Sequence, residues 1–396
     1  MRALSRVQVK DLLKSLGPGW RRLEDSNNDV NLLVVHSSDE QYGADRVVKQ
    51  ILQAAETLPV INRIELWLPS DVGQQHSSLS IFTGFERAIV KRVGLPIMRR
   101  KYLRPKGVWR IFEPLGSAIK LLISTRPQII YLGTSACLLL APIARITRSK
   151  HVVLHLQEIW RGPERLVLCL LARTCSQIIC ISPAVQSALP ANLQEKSVVV
   201  RNSTDGPLEV VPPARDGHSI RFLIASRWNS WKGHKTLLSA WNTVGPGREL
   251  YILGGPAPEG VSVDVPTMVD GNENRNSITI IGEVPDIGSY IEDVDVVIVP
   301  SDQPEPFGLI AIEAFARSRP VIGSDGGGLA GIIEHGRTGW KFELGNSEQL
   351  ASLINGLDRS QIQACGERAR LEFETNYSTE RYKKQISHII AEMTEL

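Results

Sequence analysis

The sequence is most restrictive in what it lacks. Its five cysteines, Cys137, Cys169, Cys175, Cys180 and Cys365, are odd in number and show no metal-ligand spacing. Cys175 and Cys180 lie in an apolar stretch with no histidine partner, so buried reduced thiols are expected, in a reducing compartment. No run is long and apolar enough to suggest a membrane-spanning helix. The longest uncharged stretch, 127–144, is broken by Gly133, Thr134, Ser135 and Pro142, and reads as a buried strand, a turn and a buried helix. Residues 1–29 carry charge throughout and show no secretory leader pattern, so a cytoplasmic protein is expected. The formal net charge is only +3, which gives no reason to expect nucleic acid as a partner.

What is present is 396 residues, 42% hydrophobic and 22% charged, enough chain for two domains with separate cores. Short runs rich in Val and Ile recur at 31–36, 64–68, 129–132, 152–156, 178–181 and 198–200. They recur again at 221–225, 250–253, 278–281, 294–299, 320–322 and 340–342. Most do not alternate, as expected of strands buried on both faces, and the intervals leave room for crossover helices. The expected class is therefore α/β with parallel sheets.

Residues 206–217 hold three prolines and two glycines and read as a linker. The expected organisation is a first Rossmann-like domain over 1–205, a linker over 206–218 and a second such domain over 219–380. A C-terminal helix over 381–396 would pack back on the first domain. Ligands of such sheets bind beyond the carboxyl ends of the strands, so the loops there should carry the chemistry.

One such loop runs from Glu305 through Pro306, Phe307, Gly308 and Leu309 to Glu313. Pro306 suits a first helical turn, and the amides of Phe307, Gly308 and Leu309 would then point outward as a seat for phosphate. Carboxylates on both sides of a phosphate seat make sense if the ligand carries hydroxyls at both ends, a sugar at one and a ribose at the other. A second loop, Ser226 to Gly233, offers Arg227 and Lys232 as cations for a diphosphate. Asp293-Val294-Asp295 has a metal-binding spacing but leads directly into a strand, so strand-edge acids are the simpler expectation.

These residues resemble the retaining glycosyltransferases of family GT4, also called glycosyltransferase group 1, which have the two-domain GT-B fold. The resemblance rests on Glu305-Pro306-Phe307-Gly308-Leu309 with Glu313-Ala314, on Pro320-Val321-Ile322, on Gly326-Gly327-Gly328 and on Gly336-Arg337-Thr338-Gly339. Arg227, Lys232 and Gly233 fit it, as do Tyr42 to Arg46 after the first strand and Asn202 at the domain junction. It implies a first domain that binds the acceptor and a second that binds a UDP- or GDP-linked sugar, without a metal or other cofactor. It further implies that Arg227 and Lys232 hold the donor diphosphate. Glu305 would contact the donor sugar, with Phe307, Gly308 and Leu309 meeting sugar and phosphate through their backbones. Glu313 would hold the ribose, Gly43 would approach the phosphates from the first domain, and loop 282–287 would border the base.

Some positions depart from the family pattern. Ser318 stands where glycine is common and Gly331 where an acid is common. The family's His-Asp or His-Glu near the reaction centre becomes His155-Leu156-Gln157-Glu158. Either Gln157 has replaced that histidine or His155 serves from the adjacent register. The expected activity is hexosyl transfer to an acceptor hydroxyl, with a glycan or lipid-linked precursor in cell-envelope synthesis as acceptor. A nucleotide-sugar epimerase of the same fold and a binding protein without turnover are the alternatives. Residues 87–110 hold nine basic residues, no acid and interleaved apolar residues, a mixture suited to peripheral binding at an anionic membrane.

Overall fold

The computed structural model describes residues 30–39, 43–71, 80–99, 109–210, 219–256 and 261–395. Two all-parallel sheets dominate it. The first has seven strands in the order β3-β2-β1-β4-β5-β6-β7. They are β1 (Val30–Val35), β2 (Ile61–Pro69), β3 (Ala88–Val93), β4 (Ile129–Leu132), β5 (His151–Leu156), β6 (Gln177–Cys180) and β7 (Ser197–Val199). The second has six in the order β10-β9-β8-β11-β12-β13. They are β8 (Ile220–Ala225), β9 (Arg248–Leu253), β10 (Ile278–Gly282), β11 (Val296–Val299), β12 (Val321–Ser324) and β13 (Gly339–Phe342). Central strands such as β4 and β11 are buried along their whole length, which explains their uninterrupted apolar sequence.

In each sheet the strand order reverses beside the first strand: β1 lies between β2 and β4, and β8 between β9 and β11. At such a switch point the loops leaving neighbouring strands diverge and open a crevice. The loops after β8 and β11 are those that carry Arg227 to Lys232 and Glu305 to Leu309.

Strand β3 was not expected. It is an edge strand, partly exposed along its length, and its Lys91 and Arg92 hid it within the basic stretch. Its cations are engaged by acids of neighbouring elements. Lys91 Nζ lies 2.9 Å from Glu65 Oε1 and Arg92 2.6 Å from Asp39. Charge on an edge strand also discourages pairing with another chain.

The chain crosses between the two sheets twice. The first crossing follows β7, and residues 211–218 of the expected linker lie outside the described residues. The second follows helix Arg359–Asn376, and there the amide of Thr204 donates to Tyr377 O at 3.2 Å, so the crossings run side by side. Helix Thr379–Glu395 then lies on the first sheet's side. Its Tyr382, Ile386, Ile390 and Met393 share a core with Val47, Val48, Ile51 and Leu52 of helix Gly43–Glu56.

Candidate functional site

The segment after β11 does not enter its helix at Pro306, as the sequence suggested. Helix Leu309–Phe315 begins three residues later, with Gly308 as its N-cap at φ 108° and ψ 60°. Before it, Glu305 forms a bridge with Gly327 and its carbonyl accepts from the amide of Gly328 at 2.6 Å. A Cβ on Gly327 would overlap the Glu305 backbone, so this approach requires glycine there. The Gly326-Gly327-Gly328 run is thus the support on which the loop rests. Pro306 O also accepts from Ser182 Oγ of the first domain at 2.6 Å.

Phe307 is buried, its ring edge-on to Tyr377 with centroids 6.1 Å apart. Its side chain is therefore core, and only its backbone is available to a ligand. No side chain caps the helix that follows, so the amides at its start keep their outward hydrogen-bonding capacity. Gly43, at the start of helix Gly43–Glu56, packs against the side chain of the first residue of helix Leu309–Phe315: a Cβ there would overlap Leu309 Cδ1. Two helix N-termini from the two domains therefore meet at one place, as anion seats do.

The two acids flank this point. Glu305 is buried, and its Oε1 accepts from Lys232 Nζ at 2.7 Å and from Ser301 Oγ at 2.6 Å. Lys232 also stands 4.1 Å from the centre of the Trp231 ring, so its charge is held from two sides. Glu313 is likewise buried, and its Oε1 accepts from Arg46 of the first domain at 2.9 Å. Burial raises its pKa, against the pull of Arg46 and Arg317. Arg227 lies half-buried in the loop after β8, in the same segment as Lys232.

His155 is not brought to this group. It is fully buried on β5 and its Nδ1 lies 2.6 Å from Tyr131 Oη. Burial, helped by His36, lowers its pKa to about 3. Alternation along the strand turns it toward the core shared with the C-terminal helix, so it is a core histidine. Gln157, beyond the end of the strand, donates to Gly133 O at 2.7 Å and is the better placed of the two for a ligand. Asn202 is buried in the crossover after β7, and its Oδ1 has no protein partner.

Three contributors were missed in the sequence. Arg46 stood in the quoted Tyr42–Arg46 run, but its role depends on a partner 267 positions away. Ser301 had no signal beyond its place after a strand. Arg161 reaches Gln303 Oε1 across the domains at 3.4 Å.

Asp295 is a strand-edge acid as expected: it accepts from the amide of Arg221 at 2.8 Å and pairs with Arg359. Among the described residues there is no group of three or more metal-binding side chains, and no helix is long and apolar enough to cross a membrane. The cysteines are free and mostly buried, and burial pushes Cys137, Cys175 and Cys180 up to about 12. In the basic stretch, residues 100–108 lie outside the described residues. In the remainder, Arg87 bonds the carbonyls of Glu56, Leu58 and Ile61, and Arg99 pairs with Asp71 at 3.1 Å.

The chain resembles known proteins in sequence and in fold. Residues 208–372 match the family described as glycosyl transferases group 1. The chain is 25% identical over 232 residues to an uncharacterized glycosyltransferase of Methanocaldococcus jannaschii, covering 55% of this chain and 60% of that one. It is 32% identical over 114 residues to a lipopolysaccharide core biosynthesis mannosyltransferase of Rhizobium leguminosarum bv. viciae, covering 28% of this chain and 32% of that one. The chain thus spans less than two thirds of either relative's length. The Anabaena protein HepE, solved with UDP-glucose, superposes with a TM-score of 0.75 at 22% identity over 91% of this chain and 99% of its own. The fold is that of GT-B glycosyltransferases.

Proposed function

We propose that the protein is a retaining glycosyltransferase that moves a hexosyl unit from a nucleoside diphosphate sugar to an acceptor hydroxyl. The observation that carries this is the placement of two buried acids, Glu305 and Glu313, at either end of an uncapped helix start that packs against Gly43 at a sheet switch point. Glu313 meets the ribose and Glu305 the sugar, with the diphosphate between them on the helix amides. Arg227 and Lys232 offset the charge that grows on the diphosphate as the glycosidic bond breaks. The bond from the anomeric carbon to the phosphate oxygen breaks, and a bond from that carbon to the acceptor oxygen forms on the same face. The acceptor proton passes to the departing phosphate. Closure of the first domain over the donor excludes water, which would otherwise compete with the acceptor.

The acceptor belongs to the first domain, and a lipid-linked or polysaccharide precursor at the inner face of the membrane fits the lipopolysaccharide-core assignment of one relative. The donor is UDP- or GDP-linked, and the UDP-glucose seen with HepE makes UDP the first choice.

The test is a thermal-shift panel of UDP, GDP and their sugars, followed by nucleoside diphosphate release with and without acceptor. A ligand in excess over its dissociation constant should raise the melting temperature measurably. Release of diphosphate that rises with acceptor supports transfer. Interconversion of donor sugars without release would identify an epimerase, and binding without either a module lacking turnover. Glu313→Gln should weaken donor binding; wild-type affinity in that variant would refute the ribose assignment.

A further inference from the structure

We infer that helix Glu164–Ala172 of the first domain is a docking face for an anionic lipid bilayer. The helix fills the crossover from β5 to β6, yet it buries only Ala172 fully. Leu166 is 78% exposed and Leu170 63%, and these two lie one turn apart on the same side. Val167 is exposed beside them, and Ile146 is exposed on the adjoining helix Leu140–Ile146. The two helices are tied where Arg145 Nε donates to Thr174 O at 3.0 Å, just past the end of helix Glu164–Ala172. Soluble proteins rarely leave such residues together in water without a partner.

The charge around this surface selects the partner. Arg165 lies in the helix with Arg161 before it and Arg173 after it, and Arg145, Arg148 and Lys150 are exposed at and just after the end of its neighbour. None of the six has an ion pair with a carboxylate among the described residues. Where their side chains are bonded, they donate to carbonyls, such as Arg165 to Ala188 O and Arg145 to Lys150 O, to the Cys169 sulfur or to the Gln303 amide oxygen. Such bonds hold the guanidinium groups in place and leave their charge unneutralised. Glu164 is the one acid of the helix itself. Apolar side chains within a cationic border match the acyl-chain boundary and phosphate headgroups of an anionic bilayer.

The same charge disfavours other occupants. A second copy packed about a two-fold axis would set these cations against their own equivalents. Residues 1–29 of the chain carry six basic residues against four acidic ones, so they do not complement the surface either. In the stretch 87–110, where the sequence suggested a membrane contact, Lys91, Arg92 and Arg99 are paired with the carboxylates of Glu65, Asp39 and Asp71. Arg161, at the start of the docking helix, touches Gln303 on the loop after β11. Docking would therefore bring one rim of the cleft to the lipid surface.

This inference does not depend on the transferase reading, and its test needs no turnover. The full-length protein is sedimented with vesicles of phosphatidylglycerol and phosphatidylcholine, and with phosphatidylcholine alone. Wild type should bind the anionic vesicles and release as salt rises. Leu166→Glu with Leu170→Glu should lower partitioning at least about tenfold, because two exposed leucines lose their burial in the interface. Arg165→Gln with Arg173→Gln should lower it on the order of tenfold, from two lost headgroup attractions. Both double variants should keep the wild-type melting temperature. Failure of wild type to bind anionic vesicles overturns the proposal, as does undiminished binding in both variants. A wild-type dimer that the leucine variant converts to a monomer would show instead that a second copy covers the face.

Discussion

Replacing Lys232 by Met tests the central pair of the site. Methionine keeps much of the stem over Trp231 and removes the charge that meets Glu305 at 2.7 Å. Glu305 is only 4% exposed, so its carboxylate would be left with the Ser301 hydroxyl and little water. Breaking a fully buried ion pair from one side costs about 3–5 kcal/mol. The Lys232 side chain is 24% exposed, so some solvent already screens the pair, which reduces the expected loss to about 2–3 kcal/mol. For a domain of this size each kcal/mol lowers the melting temperature by about 2–4 °C, so a drop of roughly 5–10 °C is expected. Adding Glu305→Gln removes the stranded charge while Ser301 can still donate to the amide oxygen. The double variant should recover most of the lost stability, giving a coupling energy close to the cost of the single change. It should not recover transfer activity, which separates the fold's use of the pair from the reaction's. The assay is differential scanning calorimetry of wild type, both single variants and the double. A Lys232→Met protein that melts like wild type would refute the buried pair. Equal melting of Lys232→Met and the double variant would refute the stranded carboxylate as the source of the loss.

Two further predictions concern stability. Ser318 has φ 58°, a left-handed conformation that costs a side chain about 1–2 kcal/mol, and its hydroxyl has no hydrogen bond among the described residues to offset it. Ser318→Gly should therefore stabilise by about 0.5–1 kcal/mol after the entropy cost of glycine, read as a higher urea midpoint, and an unchanged or lower midpoint would refute the strain. Burial lowers the pKa of His155 to about 3 and of His234 to about 4. Below the unfolded value of about 6.5 the unfolded chain takes up protons that the folded protein refuses, so stability falls as pH falls from 6.5 toward 4. At pH 5 each histidine should account for about 2 kcal/mol of that loss. His155→Gln should remove its share from the difference between urea midpoints at pH 7 and pH 5, and an unaltered difference would show that His155 takes up its proton in the folded state.

What could be read in the sequence was what the chain decides locally. Strands buried on both faces need apolar residues throughout, so β4, β5 and β11 stand out without any knowledge of their neighbours. The loop from Glu305 to Glu313 was visible because one short segment holds both acids and the glycine between them. Even there, the helix start was misplaced, because the left-handed Gly308 fixes it and proline alone does not. Strand β3 escaped because its cations are answered by Glu65 and Asp39, far away in the chain. His155 was ambiguous for the same reason. Tyr131 lies beside it and belongs to a core completed by Tyr382 of the last helix, more than 200 positions onward. Arg46 is the most instructive case, since its residue type and position were in view and only its partner was not. Glu313 has one face of its charge met by an arginine from the opposite domain that is itself half in solvent. Under the proposed ribose assignment, a hydroxyl arriving at Glu313 must share that carboxylate with Arg46 or displace it. Under that assignment donor binding and the Arg46 contact between the domains act on the same carboxylate, a coupling that no single stretch of sequence could reveal.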